Sequence, residues 1–383
     1  MAKHLLLVGA GHAHLTILKN LRVFSGSGHH VTVINAGKYH YYSGMGPGML
    51  SETYAPGDIR FHVEKMVRDQ GGNFIQDRFV GISPEKQTIQ TQGGKTIPYD
   101  VISFNIGSYV PFPDMKKSLT EEKFVFPVKP IENLLMAKNK ILSLLERKKP
   151  AVLVVGGGAA GVEIAANVCA LADKHKQPAD ITLVTGEKLL NRFNEPFRAK
   201  AKAVLKKYRI NLIEHAKVDT LLNQCARLNT GLNISFDIAF WAAGILPSSS
   251  LKNSGLPTGH DGGLMVNEYL QCVSFPNIFG GGDCISFQGQ NLDKVGVYAV
   301  RQNPVLFENL KNFPDKKPLK PFVPQKDYLV IFNMGNNEGI LKWKNFTYRG
   351  KGAFCLKNFI DQRFMKTFQI SDERDPKNAA LHY

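Results

Sequence analysis

The sequence is short of cysteine, of acidic residues and of long apolar runs. Its five cysteines, Cys169, Cys225, Cys272, Cys284 and Cys355, are scattered through 383 residues with no C-x-x-C pair and no metal-ligand spacing. That excludes a disulfide framework and a zinc module, and predicts free, mostly buried thiols and no bound metal. Cys272 and Cys284 are near enough along the chain to meet, but nothing in their spacing requires it. No apolar run approaches the roughly 18 residues needed to cross a bilayer. Leu5-Leu6-Leu7-Val8 stops at Gly9, too soon for the apolar core of a signal peptide. The expectation is a cytoplasmic protein without a spanning helix.

The shortage of acid is the most unusual bulk feature: 32 Asp and Glu against 48 Lys and Arg leave a formal charge of +16. Such a balance restricts partners rather than fold. Nucleic acid is not expected, because no aromatic-interleaved basic module, zinc-finger spacing or helix-turn-helix pattern accompanies the charge. An anionic membrane surface fits better, since basic residues thicken toward the C-terminal third, among them Lys326, Lys342, Lys344, Arg349, Lys351, Arg363 and Lys366. A plainly solvated basic surface is the alternative. The remaining composition, 43% hydrophobic and 21% charged, is that of a folded globular chain of two to three domains.

What is present is a repeated supersecondary unit. Lys3 to Val8 reads as a buried strand, Gly9-Ala10-Gly11-His12-Ala13-His14 as a turn, Leu15 to Val23 as a helix and His29 to Asn35 as a second strand. The pattern returns with Ala151 to Val155, the turn Gly156-Gly157-Gly158-Ala159-Ala160-Gly161, a helix over Val162 to Ala172 and a strand at Ile181 to Val184. In a dinucleotide-binding turn the first glycine permits the bend, the second admits the diphosphate and the third lets helix and strand approach. Gly156, Gly158 and Gly161 satisfy all three demands. Gly9 and Gly11 satisfy two, and His14 in the third position predicts a helix pushed slightly off its strand. Asn35 stands where an acidic residue would hold ribose hydroxyls, an altered grip. In the second unit Glu187 follows the strand with no adjacent arginine, which favours NADH over NADPH.

Proline-rich stretches mark crossings: Val110-Pro111-Phe112-Pro113, Phe126-Pro127-Val128-Lys129-Pro130 and Phe313 to Pro321. Beyond the last, Tyr328 to Met334 and Gly339 to Phe346 predict strands and Leu356 to Phe368 an amphipathic helix. Aromatics on one face of that helix, with basic residues beside them, suit either a membrane surface or core packing.

Four further segments, in order, carry a resemblance. They are Tyr99 to Ser108, Phe236 to Pro247, Asn277-Ile278-Phe279-Gly280-Gly281-Gly282-Asp283-Cys284, and Lys294 to Gln302. With the two turns they resemble the pyridine nucleotide-disulfide oxidoreductase superfamily, in its branch of type II NADH dehydrogenases and sulfide:quinone reductases. A narrower likeness, carried by His12-Ala13-His14, Tyr42 to Gly48, Pro324-Gln325 and Ile360 to Met365, is to the flavoprotein module associated with selenide, water dikinase. The resemblance implies an α/β fold of two Rossmann-like dinucleotide-binding domains and a small C-terminal α+β module. Expected bounds are 1–112 with 260–312 for an FAD domain, 113–259 for an NAD(P) domain and 313–383 for the module, which would contact a membrane or a second copy of the chain as a homodimer.

The implied cofactors are FAD and NAD(P)H. The implied FAD residues are Gly9, Gly11, His14, Asn35, Lys38, Gly44, Met45, Gly107, Gly282, Asp283, Val297 and Tyr298. Those for NAD are Gly156, Gly158, Gly161, Glu187 and Gly244, with Glu163 as the catalytic glutamate beside the nicotinamide. No cysteine lies between Tyr39 and Tyr54, where the family's disulfide reductases keep their redox pair, so electrons are expected to pass directly from flavin to a small-molecule acceptor. A quinone is the first candidate, although Val297 and Arg301 stand where glutamines would face it and only Gln302 remains. The alternatives are a sulfur- or selenium-compound oxidoreductase, which needs Cys169, Cys284 or Cys355 beside the flavin, and a nucleotide-binding sensor without turnover. The expected location is cytoplasmic, peripheral on the inner face of the cell membrane.

Overall fold

The computed structural model describes residues 2–111, 124–222, 224–371 and 373. The expected 112/113 boundary and the end of the C-terminal module lie outside them. β1 (His4–Val8) feeds the first glycine-rich turn and a 3-10 turn at His12–His14, followed by α1 (Leu15–Lys19) and α2 (Arg22–Gly26). The single helix expected over Leu15 to Val23 is thus two short ones. At the break, the Asn20 side chain donates to the Thr16 carbonyl at 2.8 Å and competes with the helical ladder. β2 (His30–Asn35), α3 (Gly46–Leu50), β3 (Asn73–Gln76) and β4 (Val101–Phe104) complete this half.

The second half repeats the plan with β5 (Val125–Pro127), α4 (Glu132–Leu145), β6 (Ala151–Val155), α5 (Ala159–Lys174), β7 (Asp180–Val184), α6 (Glu195–Lys207), β8 (Asn211–Ile213) and β9 (Ile238–Trp241). The chain then returns to supply β10 (Ile278–Gly280) to the first half. The two sheets are wholly parallel, in the orders β10-β4-β1-β2-β3 and β5-β9-β6-β7-β8. Their central strands are buried on both faces, which is why they read as unbroken apolar runs. Each half also carries a three-stranded antiparallel meander, 79–98 in one and 218–235 in the other.

The two crossings zip together: Ser108-Tyr109 pairs antiparallel with Leu246-Pro247. Past that pairing, Ser254 Oγ accepts the Ile82 N–H at 3.1 Å. α7 (Gly296–Asn312) then lies against the first turn. The C-terminal module is an antiparallel sheet, β11 (Val330–Asn333), β12 (Gly339–Trp343) and β13 (Phe346–Gly350), backed by α8 (Lys351–Phe368). The strand expected over Gly339 to Phe346 is a hairpin, because Lys344 adopts φ 51°.

Candidate active site

Three helical N-termini open onto one cleft of about 2140 Å³. They begin at Gly11, at Gly158 and at Val295; none has a side-chain cap and none has an acidic residue in its first turn. Uncapped N–H groups with the positive end of a helix dipole form anion sites. Two belong to the repeated turns and the third to α7, so the cleft can take two diphosphates and a further developing negative charge. It is well above the roughly 300–1,000 Å³ of a single drug-sized site.

The turns are built by backbone crowding. Gly9 has φ 85° and a Cβ there would lie 2.4 Å from the Asn105 carbonyl oxygen; Gly156 has φ 121° and its Cβ would lie 2.3 Å from that of Ala242. The third position shows how the copies diverge. At Gly161 a Cβ would sit 1.8 Å from the Gly156 carbonyl oxygen, so no side chain fits. In the first copy His14 occupies that place, and there the helix opens with a 3-10 turn. The buried His14 ring bridges the Gly9 carbonyl at 2.7 Å and Ser103 Oγ at 2.8 Å.

Asn35 Oδ1 accepts the Ala10 N–H at 3.0 Å while Nδ2 donates to the Gly37 carbonyl at 2.7 Å, so the residue both braces the turn and borders the cleft. Asp283 lies deeper. Burial opposes its charge, but Lys129 Nζ at 2.7 Å and Ser108 Oγ at 2.8 Å outweigh it and hold its carboxyl below its ordinary value. Lys129 escapes sequence reading because it lies in a proline-flanked crossing that looks like a linker.

Glu163, one turn into α5, faces the cleft. Burial pushes its carboxyl up to about 7, against the pull of the Lys357 ammonium and of the Asn333 N–H, which donates to it at 2.7 Å. Lys357 donates to Asp361 Oδ2 and to the Gly44 carbonyl, each at 2.6 Å, and Tyr42 Oη donates to Asp361 Oδ1 at 3.0 Å. A buried polar network thus joins α8 to the segment before α3 and approaches the second turn.

Gly9 and Gly161 pack behind the turns, whereas Gly11, Asn35, Gly44, Gly107, Gly156, Gly158, Glu163, Glu187, Gly244, Gly282, Asp283 and Val297 border the cleft. Lys38, Met45 and Tyr298 do not. Lys38 pairs with Glu64 at 3.2 Å, Met45 is buried in the core, and the Tyr298 hydroxyl donates to the Gln325 carbonyl at 3.3 Å. Gln302 is likewise turned away, accepting the Gly282 N–H at 2.7 Å, while Arg301 borders the cleft. None of the five thiols does. Cys284 points to the Phe104 and Gly281 carbonyls, and burial raises its thiol to about 11.

Two Gly-rich turns on two parallel sheets, sharing one cleft with a third free helix end, define a two-dinucleotide protein. Residues 3–303 match the family model described as pyridine nucleotide-disulphide oxidoreductase, and the chain belongs to that family. It is a flavin-dependent pyridine nucleotide oxidoreductase, with FAD and NAD(P)H as cofactors. It is 28% identical over 320 residues to the ferroptosis suppressor protein 1 of Xenopus tropicalis, covering 80% of each chain. It is 23% identical to the type II NADH:quinone oxidoreductase of Staphylococcus aureus, covering 94% of each. Among solved structures, NDH2 of Plasmodium falciparum in complex with NADH superposes with TM-score 0.83 at 16% identity, over 98% of this chain and 99% of that one. The sulfide:quinone oxidoreductase of Aquifex aeolicus gives 0.79 at 17%, over 98% and 93%.

Proposed function

We propose that the protein oxidises NADH at the second turn and reduces a quinone at a membrane surface, with FAD between them. The observation that carries this reading is the continuity of the cleft. It runs from both turns, past Glu163 and the start of α7, to a mouth lined by Trp343 and Phe346 of the hairpin and Leu356 and Ile360 of α8. All four are exposed apolar residues, with Phe346 62% accessible.

α8 buries Ala353, Phe354, Lys357, Asp361 and Met365, and presents Leu356, Phe359, Ile360 and Arg363 along its other face. Apolar groups flanked by Lys344, Lys351, Arg363 and Lys366 suit an interface of anionic lipid. Among the described residues no helix is long and apolar enough to span a membrane.

When bound, FAD supplies the two-electron carrier that accepts hydride from nicotinamide and passes electrons on. The overall exchange is NADH, one proton and quinone giving NAD⁺ and hydroquinone. This chain's residues would bind and orient. The N–H groups at Gly158 would hold the NADH diphosphate, where a Cβ would meet nothing within 4 Å and the floor stays open to a ligand. Glu187, whose carboxylate accepts from Asn191, would take the ribose diol and favour NADH. At the first turn the N–H groups would hold the FAD diphosphate and Asp283 the ribityl chain. The free N-terminus of α7 would favour negative charge on the reduced ring. Glu163, neutral below about pH 7, would hold a proton at its carboxyl beside the nicotinamide.

A sulfur or selenium substrate is the weaker reading, since no thiol borders the cleft. Anaerobic stopped-flow mixing with NADH tests the proposal. The oxidised flavin band should bleach and a soluble quinone should restore it. An unbleached band leaves only a nucleotide-binding sensor, and bleaching that no quinone reverses removes the acceptor.

A further inference from the structure

Three histidines lie around the first turn, and their surroundings differ. Both ring nitrogens of His14 are engaged. The Gly9 carbonyl can only accept, so Nδ1 carries the proton and Nε2 accepts from Ser103 Oγ. That ring is fixed in one neutral tautomer. His12, directly after Gly11, and His40, on the strand Tyr39–Tyr41, meet edge to face with centroids 4.9 Å apart. Both border the cleft, yet each has a buried Nε2 without a hydrogen-bond partner. Buried polar atoms are rarely left so, and among the described residues no hydrogen bond to Nε2 fixes the tautomer of either ring.

The pair's surroundings are aromatic and close to charge-neutral. Tyr42 lies 5.3 Å from His12, centroid to centroid, with its hydroxyl committed to Asp361, which is itself paired with Lys357; Phe364 of α8 closes that side at 6.1 Å. Phe61 stacks on His40, and its neighbour Arg60 is held over the Tyr39 ring at 4.2 Å. The charges acting on His12 are Asp283, which favours its protonation, and Lys129, which opposes it, and these two are bonded to each other at 2.7 Å. Their fields largely cancel. Burial then dominates, lowering His12 to about 4 and His40 well below its ordinary value.

A diphosphate at the Gly9–Gly11 turn would change that balance, because it adds about two negative charges next to His12, where Lys129, the cation acting on that ring, is already paired with Asp283. We propose that the His12–His40 pair is the proton-accepting counter-charge for the diphosphate of FAD, so that cofactor binding takes up one proton which the two rings share. A second proton is opposed by the first imidazolium, only one ring contact away. The inference rests on the first turn holding the FAD diphosphate.

The loaded protein then binds more protons than the empty one, so lower pH favours loading. FAD affinity should rise by up to tenfold per unit as pH falls toward about 4 from the raised value in the loaded state. The test titrates apoprotein with FAD by flavin fluorescence between pH 5.5 and 8.5, with calorimetry in phosphate and in Tris to count protons. Wild type should take up close to one proton within that range; His12→Asn with His40→Asn should abolish both the uptake and the pH slope. FAD binding without buffer-dependent heat overturns the inference while leaving the turn assignment intact. No FAD binding by wild type overturns the assignment itself. Should the double variant not fold, ¹⁵N spectra of the wild-type holoprotein at pH 7 decide: no imidazolium signal beyond those of solvent-exposed histidines overturns the proposal.

Discussion

Glu163 is the residue whose chemistry and stability are most tightly linked. Burial raises its carboxyl from 4.5 to about 7, so between those values the folded chain keeps a proton that the unfolded chain gives up. Its contribution is fully present below about pH 4.5, falls as pH rises, and is lost through pH 7. The difference amounts to at most about 3 kcal/mol, because the carboxyl is only partly buried and borders the cleft. Glu163→Gln, which cannot ionise, should therefore gain in melting temperature over wild type at pH 8 and not at pH 5. Scanning calorimetry at the two pH values checks this, and an equal gap at both would contradict it. In steady-state assays the same substitution should lower kcat by about 10²-fold and remove an ionisation near pH 7 from the profile. The glutamate was named through the family resemblance, on a helix that follows a complete glycine turn, and it does border the cleft. Its partners were not legible: Asn333, Lys357 and Asp361 lie 170 or more residues away, and only folding brings β11 and α8 to α5.

At the scale of elements, the parallel strands and both turns could be read because each is encoded by neighbours in sequence. Junctions were less legible. The hairpin at Lys344 needs a left-handed backbone at a residue that does not advertise one, and the crossing at Ser108-Tyr109 is a strand only because Leu246-Pro247 pairs with it. α8 could be read as surface-facing or core-facing, and it is both: Lys357 and Asp361 point inward while Phe359, 63% accessible, points outward. That division locates the membrane prediction. Trp343→Ser with Phe346→Ser, at the hairpin tip and away from the buried network, should weaken binding to anionic vesicles at least tenfold, since even partial insertion of each ring contributes about 1 kcal/mol or more. Wild-type binding should also fall with salt and be much weaker on neutral vesicles, at about 1 kcal/mol per lysine near the surface. Sedimentation with the two vesicle types measures this, with the flavin spectrum reporting integrity. Indifference of wild type to both lipid charge and salt would remove the membrane from the mechanism.

Across the whole molecule, the cleft is bridged as well as lined. Arg192, from the loop after β7, reaches Asp293 of the loop before α7 at 3.2 Å, and the Tyr328 hydroxyl of the C-terminal module donates to the same carboxylate at 3.2 Å. One carboxylate thus ties together the three parts of the chain, and all three residues border the cleft near the second turn. The bridge is exposed, 80% at Arg192 and 49% at Asp293, so water and salt screen it and it contributes little to stability. Its effect should instead be on entry. On the proposed assignment of NADH to the Gly158 turn, the dinucleotide would pass between the two halves, and a contact of about 1 kcal/mol at most biases an open-closed equilibrium by about fivefold. Arg192→Ala should accordingly raise the second-order rate of flavin reduction at low NADH by two- to fivefold while leaving the melting temperature within about a degree. Because the contact is ionic, raising the ionic strength should bring wild type toward the variant and leave the variant nearly unchanged. Stopped-flow rates at low and high salt provide the comparison. A slower variant at every salt concentration would make Arg192 a contact for the phosphates of NADH, which favours the opposite response to charge.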